Sequence, residues 1–122
     1  MRCLSKLVLA GIVCTASAVA AADMKKAERN WKGKCASCHG ADGKGQTEQG
    51  KKLKLQDLTS ASFQKSKTDA QIKEVIDNGT KVGDAEMEGY KDKLDAAQID
   101  DLTAYVRSLG KSSKAAKKKA KH

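Results

Sequence analysis

The sequence predicts an all-α fold of three main helices and one short helix, joined by long Gly-rich loops. No segment alternates apolar and polar residues as a half-buried strand does. Three segments instead carry apolar residues at helical spacing, each behind a residue that can cap a helix. With 122 residues and no proline, the chain has room for one small domain, which excludes a large enzyme, a membrane channel and a proline-rich scaffold.

The first 22 residues have the composition of a cleaved secretory signal peptide. Arg2 and Lys6 precede an uncharged stretch that ends in small residues. This stretch, residues 7–22, is shorter than the roughly 20 residues that cross a bilayer, so a membrane anchor is the less favoured alternative. We therefore expect export to the periplasm, with cleavage between Ala20 and Asp23.

The first two main helices have recognisable start signals. Asp23 can cap a helix over Met24–Lys34. Thr68 can cap a helix over Asp69–Asn78, and Gly79 is then a natural C-terminal stop. The apolar residues of the second segment form one stripe, as expected for a helix that packs on a core.

The third main helix is predicted at the end of the domain. Asp95 with Gln98 resembles a capping box for a helix that runs to Leu109 and ends at Gly110. A short helical turn is predicted over Ser60–Lys65. The predicted loops are Gly40–Asp57 and Thr80–Asp92.

The positive charge is concentrated at the two ends of the chain. The formal net charge is +9, whereas residues 23–109 carry 16 basic and 15 acidic residues. The lysine tail, residues 110–122, holds six lysines and no acidic residue, and we expect it to be flexible and solvated. Because no aromatic residues interleave these lysines, the high pI does not predict a nucleic-acid-binding module.

Residues 23–109 contain few large apolar side chains for a domain of their length. Aromatic residues make up 3% of the chain. Three amphipathic helices joined by long loops need an apolar body on which to pack, because burial must offset the entropy of ordering the chain. The sequence thus predicts that part of the core is supplied by a component other than the polypeptide.

Residues 35–39 carry the Cys-x-x-Cys-His sequence by which c-type haem is attached. Two thiols at this spacing, at the end of a helix, can form thioethers with the two vinyl groups on one porphyrin edge. The adjacent histidine can then present a ring nitrogen to the iron. We therefore predict one haem c, bound covalently by Cys35 and Cys38, with His39 as the proximal iron ligand.

Three other uses of the cysteine pair are less favoured. A zinc site needs four ligands, and the predicted domain offers Cys35, Cys38 and His39 alone. A thioredoxin-like redox pair needs a βαβ pattern and a neighbouring cis-proline, whereas this chain has no proline. A plain disulfide across so short a loop would stabilise the fold little.

Met87 is the predicted distal ligand of the haem iron. It lies between the second and third main helices and is flanked by glycines that let the chain turn around a flat cofactor. The alternative is that Met87 only packs against the haem. Met24 precedes the first helix and His122 ends the lysine tail, so both are weaker candidates.

From Lys26 to Leu109 the sequence resembles a class I cytochrome c of the short bacterial periplasmic type. The matching positions are Trp31, Cys35–Gly40, Asp42–Gly45, Asp57 and Leu58, Asn78 and Gly79, Met87, Tyr90 and the final helix with Tyr105. The resemblance implies a cytochrome c fold wrapped around one haem, with Trp31 and Tyr105 near the crossing of the first and last helices. This family usually has proline directly after the ligand methionine, and here that residue is Glu88.

The resemblance implies a periplasmic carrier of single electrons rather than an enzyme. Axial ligation by His39 and Met87 would leave no open iron position for a substrate, which limits the iron to Fe(II)/Fe(III) exchange. If Met87 is not a ligand, the alternative is a five-coordinate haem sensor or a fixed electron-transfer subunit of a larger enzyme complex.

The expected partners are redox proteins with acidic docking surfaces. Four lysines that follow the haem motif could steer such a partner: Lys44, Lys51, Lys52 and Lys54. The lysine tail could add weak attraction to an anionic membrane surface. We expect a monomer that does not bind nucleic acid.

Overall fold

The computed structural model describes residues 21–121, which form six helices and a two-stranded sheet. The helices are α1 (Met24–Lys34), α2 (Ala36–His39), α3 (Glu48–Lys52), α4 (Ala61–Ser66), α5 (Asp69–Asn78) and α6 (Ala96–Lys119). The strands are β1 (Gly79–Val82) and β2 (Ala85–Glu88). The predicted signal peptide lies almost wholly outside the described residues. Within residues 21–121, no helix has the length and apolar character needed to cross a membrane.

Helices α1 and α5 have the bounds that the sequence predicts, because their start signals make the expected hydrogen bonds. The Asp23 carboxylate accepts from Lys26 N at 3.0 Å. At the start of α5, Thr68 Oγ1 accepts from Gln71 N at 3.2 Å, and Gln71 Oε1 accepts from Thr68 N at 2.9 Å, which is a complete capping box. Gly79 follows α5 with a φ of 76°, a conformation that glycine adopts easily.

Helix α6 begins at the residue that the sequence predicts, but it continues past its predicted end. Asp95 and Gln98 form the predicted capping box, whereas the helix passes through Gly110 and continues to Lys119. A Cβ on Gly110 would lie 2.6 Å from Gln64 Cγ, so this buried glycine permits close packing and is not a helix stop. The predicted helix end is therefore wrong, and most of the lysine tail is a helical extension with exposed lysines.

Both predicted loops contain regular structure that the sequence analysis did not predict. Helix α3 lies within the first loop, where Thr47 Oγ1 caps it by accepting from Gly50 N at 2.8 Å. Strands β1 and β2 lie almost entirely within the second loop and pair as an antiparallel hairpin. The loop prediction is wrong for these segments, although the fold remains all-α apart from this hairpin.

The core lies where α1, α4 and α5 pack against α6. It consists of Trp31, Leu58, Phe63, Ile72, Ile76, Leu94, Ile99, Leu102, Val106 and Leu109. Six other large apolar side chains are only partly buried: Leu53, Leu55, Val75, Met87, Tyr90 and Tyr105. Partly exposed apolar side chains of this kind fit the prediction that the polypeptide alone does not complete its core.

Candidate cofactor site

The Cys-x-x-Cys-His segment forms a turn between α1 and α2. Cys35 N donates to Trp31 O at 2.9 Å and so ends α1, while Cys35 O accepts from His39 N at 2.9 Å and so begins α2. This arrangement places Cys35, Cys38 and His39 on one short helical segment, which we call the cysteine turn. The structure thus brings together three of the four residues predicted to bind haem.

Helix α3 holds the backbone of the cysteine turn. Thr47 Oγ1 donates to Cys38 O at 2.6 Å. A Cβ on Gly50 would lie 2.7 Å from the same oxygen and would collide with Gly45 O, so only glycine permits this approach. Thr47 and Gly50 therefore position the turn that carries the cysteines. Neither residue was predicted from the sequence, although Thr47 followed by Glu48 is a recognisable helix-start signal.

Two aromatic side chains connect His39 to the contact between α1 and α6. The centroid of the Trp31 ring lies 5.9 Å from that of His39 and 5.5 Å from that of Tyr105. Trp31 Nε1 also donates a buried hydrogen bond to Gly40 O at 3.0 Å. Trp31 and Tyr105 thus lie where α1 meets α6, as the resemblance implies, and Trp31 fixes the residue after His39 against α1.

Burial shifts the pKa of two side chains in the cysteine turn, Cys35 and His39. It raises the pKa of the Cys35 thiol to about 11, so this thiol is protonated at neutral pH. It lowers the pKa of His39, which favours the neutral imidazole that binds metals. Both Cys35 and Cys38 are free thiols, so the disulfide alternative is not observed.

The buried His39 Nδ1 atom has no hydrogen-bond partner within the described part of the chain. Leaving a buried polar atom unpaired costs about 1–3 kcal/mol, and such an atom in a folded protein calls for a ligand or another explanation. Two free thiols and a histidine with an unpartnered ring nitrogen on one turn match the donor set that haem c requires. No group of three or more His, Cys, Asp and Glu side chains in residues 21–121 is placed to hold a metal ion by itself.

Met87, the predicted distal ligand, lies on β2 opposite Thr80 of β1. Its side chain is partly exposed. Three residues further on, Tyr90 Oη donates to Lys34 O at 3.2 Å, and Lys34 directly precedes Cys35. Burial raises the pKa of Tyr90, so the hydroxyl keeps the proton that it donates. Tyr90 therefore joins the Met87 hairpin, residues 79–88, to the start of the cysteine turn.

Two glycines allow the hairpin to lie close to the end of α5. Gly79 has a φ of 76°, and a Cβ on it would collide with Met87 O. A Cβ on Gly89 would lie 2.5 Å from Asp77 O. The hairpin was not predicted from the sequence, although Gly83-Asp84 between two short segments is a recognised two-residue turn signal.

The residue that replaces the expected proline makes a contact of its own. Glu88 Oε2 lies 2.6 Å from Lys93 Nζ, so an exposed ion pair links the end of β2 to the following turn. The weaker ligand candidates are not part of this arrangement. Met24 begins α1 and is 38% exposed, and His122 lies outside the described residues.

Comparison with known proteins decides the family. The sequence model of the family described as cytochrome c matches residues 24–110. The chain belongs to the cytochrome c family. Among solved structures, this cytochrome c is similar to the "KustC0563 c-type cytochrome", with 29% sequence identity and a TM-score of 0.61. The similarity covers 68% of this chain and 95% of that one. A search of curated proteins finds no match.

Membership of the cytochrome c family confirms the predicted cofactor and fold class. The cofactor is covalently bound haem c, and the protein is an electron-transfer haem protein with a mostly helical cytochrome c fold. Cytochrome c domains typically function outside the cytoplasm. The zinc and thioredoxin-like alternatives for the cysteine pair are set aside by this assignment.

Proposed function

We propose that this cytochrome c is a periplasmic, mono-haem carrier of single electrons, of class I and bacterial type, and not an enzyme. The observation that carries the proposal is the cysteine turn, in which Cys35, Cys38 and a partly buried His39, whose buried Nδ1 atom lacks a hydrogen-bond partner, share one segment. When bound there, haem c supplies one-electron exchange between Fe(II) and Fe(III). Residues 1–22 would direct export before the haem is attached.

The residues of the chain hold the cofactor and fix its proximal side. Cys35 and Cys38 provide the thioether bonds, and His39 provides the proximal imidazole. The Thr47 hydroxyl donates to Cys38 O and Gly50 packs on the same oxygen, so α3 and its cap hold the backbone of the turn in place. A ligand held by such contacts moves little when the oxidation state changes, which favours fast electron transfer.

Met87 provides the distal ligand in this proposal. Its hairpin is joined to the cysteine turn by the Tyr90 hydroxyl, and the residue after Met87 is held by the ion pair with Lys93. If His39 and Met87 both bind the haem iron, a substrate would find no free position on it. Transfer of electrons, and not conversion of a substrate, is then the expected activity.

Exposed lysines support docking to redox proteins with acidic surfaces. Lys44, Lys51, Lys52 and Lys54 are exposed, and none belongs to the ion pairs found within residues 21–121. Such cations increase the rate of association with an acidic partner, and salt screens the effect. We expect a monomer without affinity for nucleic acid, whose lysine-rich end adds at most weak attraction to an anionic membrane.

Covalent haem is tested by expressing the full chain in a host that exports proteins and attaches c-type haem. Mass spectrometry should show a chain that begins between Ala21 and Asp23 and carries the mass of one haem. The double variant Cys35→Ser/Cys38→Ser should lack that added mass. An exported wild-type protein without added haem would overturn the proposal.

The distal ligand is tested by comparing two methionine variants. Ferric cytochromes with a methionine sulfur on the iron show a weak far-red absorption band, which Met87→Leu should abolish. Met24→Leu is the matched control, because Met24 is partly exposed at the start of α1, and it should keep the band. A wild-type protein that lacks the band and binds carbon monoxide rapidly when reduced would favour the five-coordinate sensor instead.

A further inference from the structure

A basic cleft lies between α4 and the helical extension of α6. Its volume is about 320 Å³. Its lining residues include Thr59, Ala61 and Gln64 on one side and Lys111, Lys114 and Lys117 on the other. The lining residues include none from the cysteine turn or the Met87 hairpin. A ligand in this cleft would therefore leave both parts of the proposed haem site accessible.

Hydrogen bonds fix the walls of the cleft. Gln64 Nε2 donates to Leu58 O at 2.8 Å and to Val106 O at 3.0 Å, which ties α4 to α6. Arg107 also borders the cleft, but its guanidinium already donates to Gln64 O at 2.8 Å and to the Asp69 carboxylate. Arg107 is thus a structural residue of the wall, and the lysines carry the free charge.

The three cleft lysines have no carboxylate partner within the described residues. Lys111, Lys114 and Lys117 are exposed and take part in none of the ion pairs there. The last acidic residue of the chain is Asp101, so the extension supplies no negative charge. Lysines at three-residue spacing on a helix are neighbours and repel one another. An anion between them would remove that repulsion.

We propose that this cleft binds an acidic segment of a protein partner, whose Asp or Glu carboxylates pair with Lys111, Lys114 and Lys117. About 320 Å³ corresponds to roughly ten water volumes, which is room for more than one carboxylate side chain. A concave site suits side chains that project from a peptide better than the flat surface of a membrane. Residues 111–121 contain only Lys, Ser and Ala, so the extension has no large apolar side chain to insert into lipid.

A partner segment bound in the cleft would act as a tether. It would raise the local concentration of the carrier at its partner without covering the cysteine turn. The binding does not depend on haem reduction or on Met87. The proposal can therefore fail while the proposed electron transfer stands, and the reverse also holds.

The test uses the full-length, haem-loaded protein and a fluorescein-labelled hexaglutamate peptide, with fluorescence anisotropy at low salt. The triple variant Lys111→Gln/Lys114→Gln/Lys117→Gln should weaken binding at least tenfold. The matched control Lys118→Gln/Lys119→Gln/Lys121→Gln removes the same charge from the same extension outside the cleft, and it should weaken binding less than threefold. Glutamine keeps helix propensity close to that of lysine, and circular dichroism should show equal helix content.

Chemical-shift mapping gives a second measurement on the wild-type protein. Adding the unlabelled hexaglutamate should shift the backbone amide signals of Thr59, Ala61 and Gln64, whereas hexaglutamine should not. Equal loss of affinity in the two triple variants would show an effect of net charge alone and would overturn the proposal. Absence of peptide binding would overturn it too. Tight binding of the protein to vesicles of anionic phospholipid would also overturn the proposal if the peptide did not displace the vesicles.

Discussion

The backbone of the cysteine turn is held by hydrogen bonds from the side chains of neighbouring segments, whereas the Met87 hairpin is largely exposed. Trp31 Nε1 donates to Gly40 O, directly after the turn, and Thr47 Oγ1 donates to Cys38 O within the turn. In the hairpin, Val82 near the tip is 73% exposed. The Tyr90 hydroxyl, two residues after β2, joins the base of the hairpin to the start of the cysteine turn. The proximal side of the proposed haem site is thus built into the fold, and the distal side depends on few contacts.

This difference has a thermodynamic consequence. Segments with few tertiary contacts open locally at low free energy, while segments tied to the rest of the fold by hydrogen bonds and close packing open at higher free energy. Substitutions at the cysteine turn should therefore lower global stability. Substitutions at the hairpin should instead alter the distal ligand while the haem stays attached. The following predictions test this contrast.

The largest expected effect is that of Gly50→Ala. The added Cβ would collide with Gly45 O and press on Cys38 O, and overpacking of this kind costs about 1–3 kcal/mol or more. Chemical denaturation of the haem-loaded protein should show the loss. Gly33→Ala is the control, because a Cβ there meets nothing within 4 Å and alanine is favoured over glycine in a helix. Equal stability of the two variants would contradict the close packing of α3 on the turn.

A smaller global effect with a clear spectral effect is expected for Gly79→Ala. The left-handed backbone and the collision with Met87 O should displace β2 at a cost of about 1–3 kcal/mol. The far-red band should weaken, while mass spectrometry still shows one attached haem. Gly83→Ala shares a positive φ of 60° but faces open space, so its band should be stronger than that of Gly79→Ala. An unchanged band in Gly79→Ala would separate the hairpin from the distal ligand.

Tyr90→Phe should have a modest effect. It removes the hydrogen bond to Lys34 O, which is worth about 0.5–1.5 kcal/mol, and keeps the ring in place. The far-red band should weaken, and carbon monoxide should bind the reduced protein faster than it binds the wild type. Tyr105→Phe serves as the control because its ring contact with Trp31 is retained. Identical behaviour of both variants would remove Tyr90 from the positioning of the hairpin.

The smallest effect is expected for Lys93→Gln. The Glu88–Lys93 pair is exposed at both ends, and exposed ion pairs contribute little to stability. Denaturation midpoints should match those of the wild type, and any change in the far-red band should disappear at high salt. A large change that persists at high salt would mean that this pair, and not Tyr90, holds the residue after Met87.

The helices that the sequence predicts with correct bounds are those whose ends depend on neighbouring residues. The caps at Asp23 and Thr68 are hydrogen bonds between residues three apart, so they can be read directly from the chain. The predicted end of α6 is wrong for the opposite reason. Gly110 serves a contact with Gln64, a residue 46 positions earlier, and no local pattern distinguishes such a glycine from a helix stop.

For the haem site too, residues close together in the sequence were predictable and residues that act from distant segments were not. Cys35, Cys38 and His39 are recognisable because haem attachment fixes their spacing within five residues. Thr47 and Gly50 act on Cys38 O from another helix, so their roles appear only after folding. Assigning Met87 as the distal ligand remains a prediction, since its position on β2 relative to the iron is set by the hairpin and the cofactor together.

The sequence by itself determined the chemistry of this protein and the start of each main helix, because covalent attachment and helix capping both depend on residues a few positions apart. Only the tertiary structure decided how the ring of His39 packs near Trp31, how the Met87 hairpin is joined to Lys34, and how α6 and α4 form a basic cleft. These features depend on contacts between segments far apart in the chain. Packing and burial determine such contacts, and no local sequence pattern specifies them.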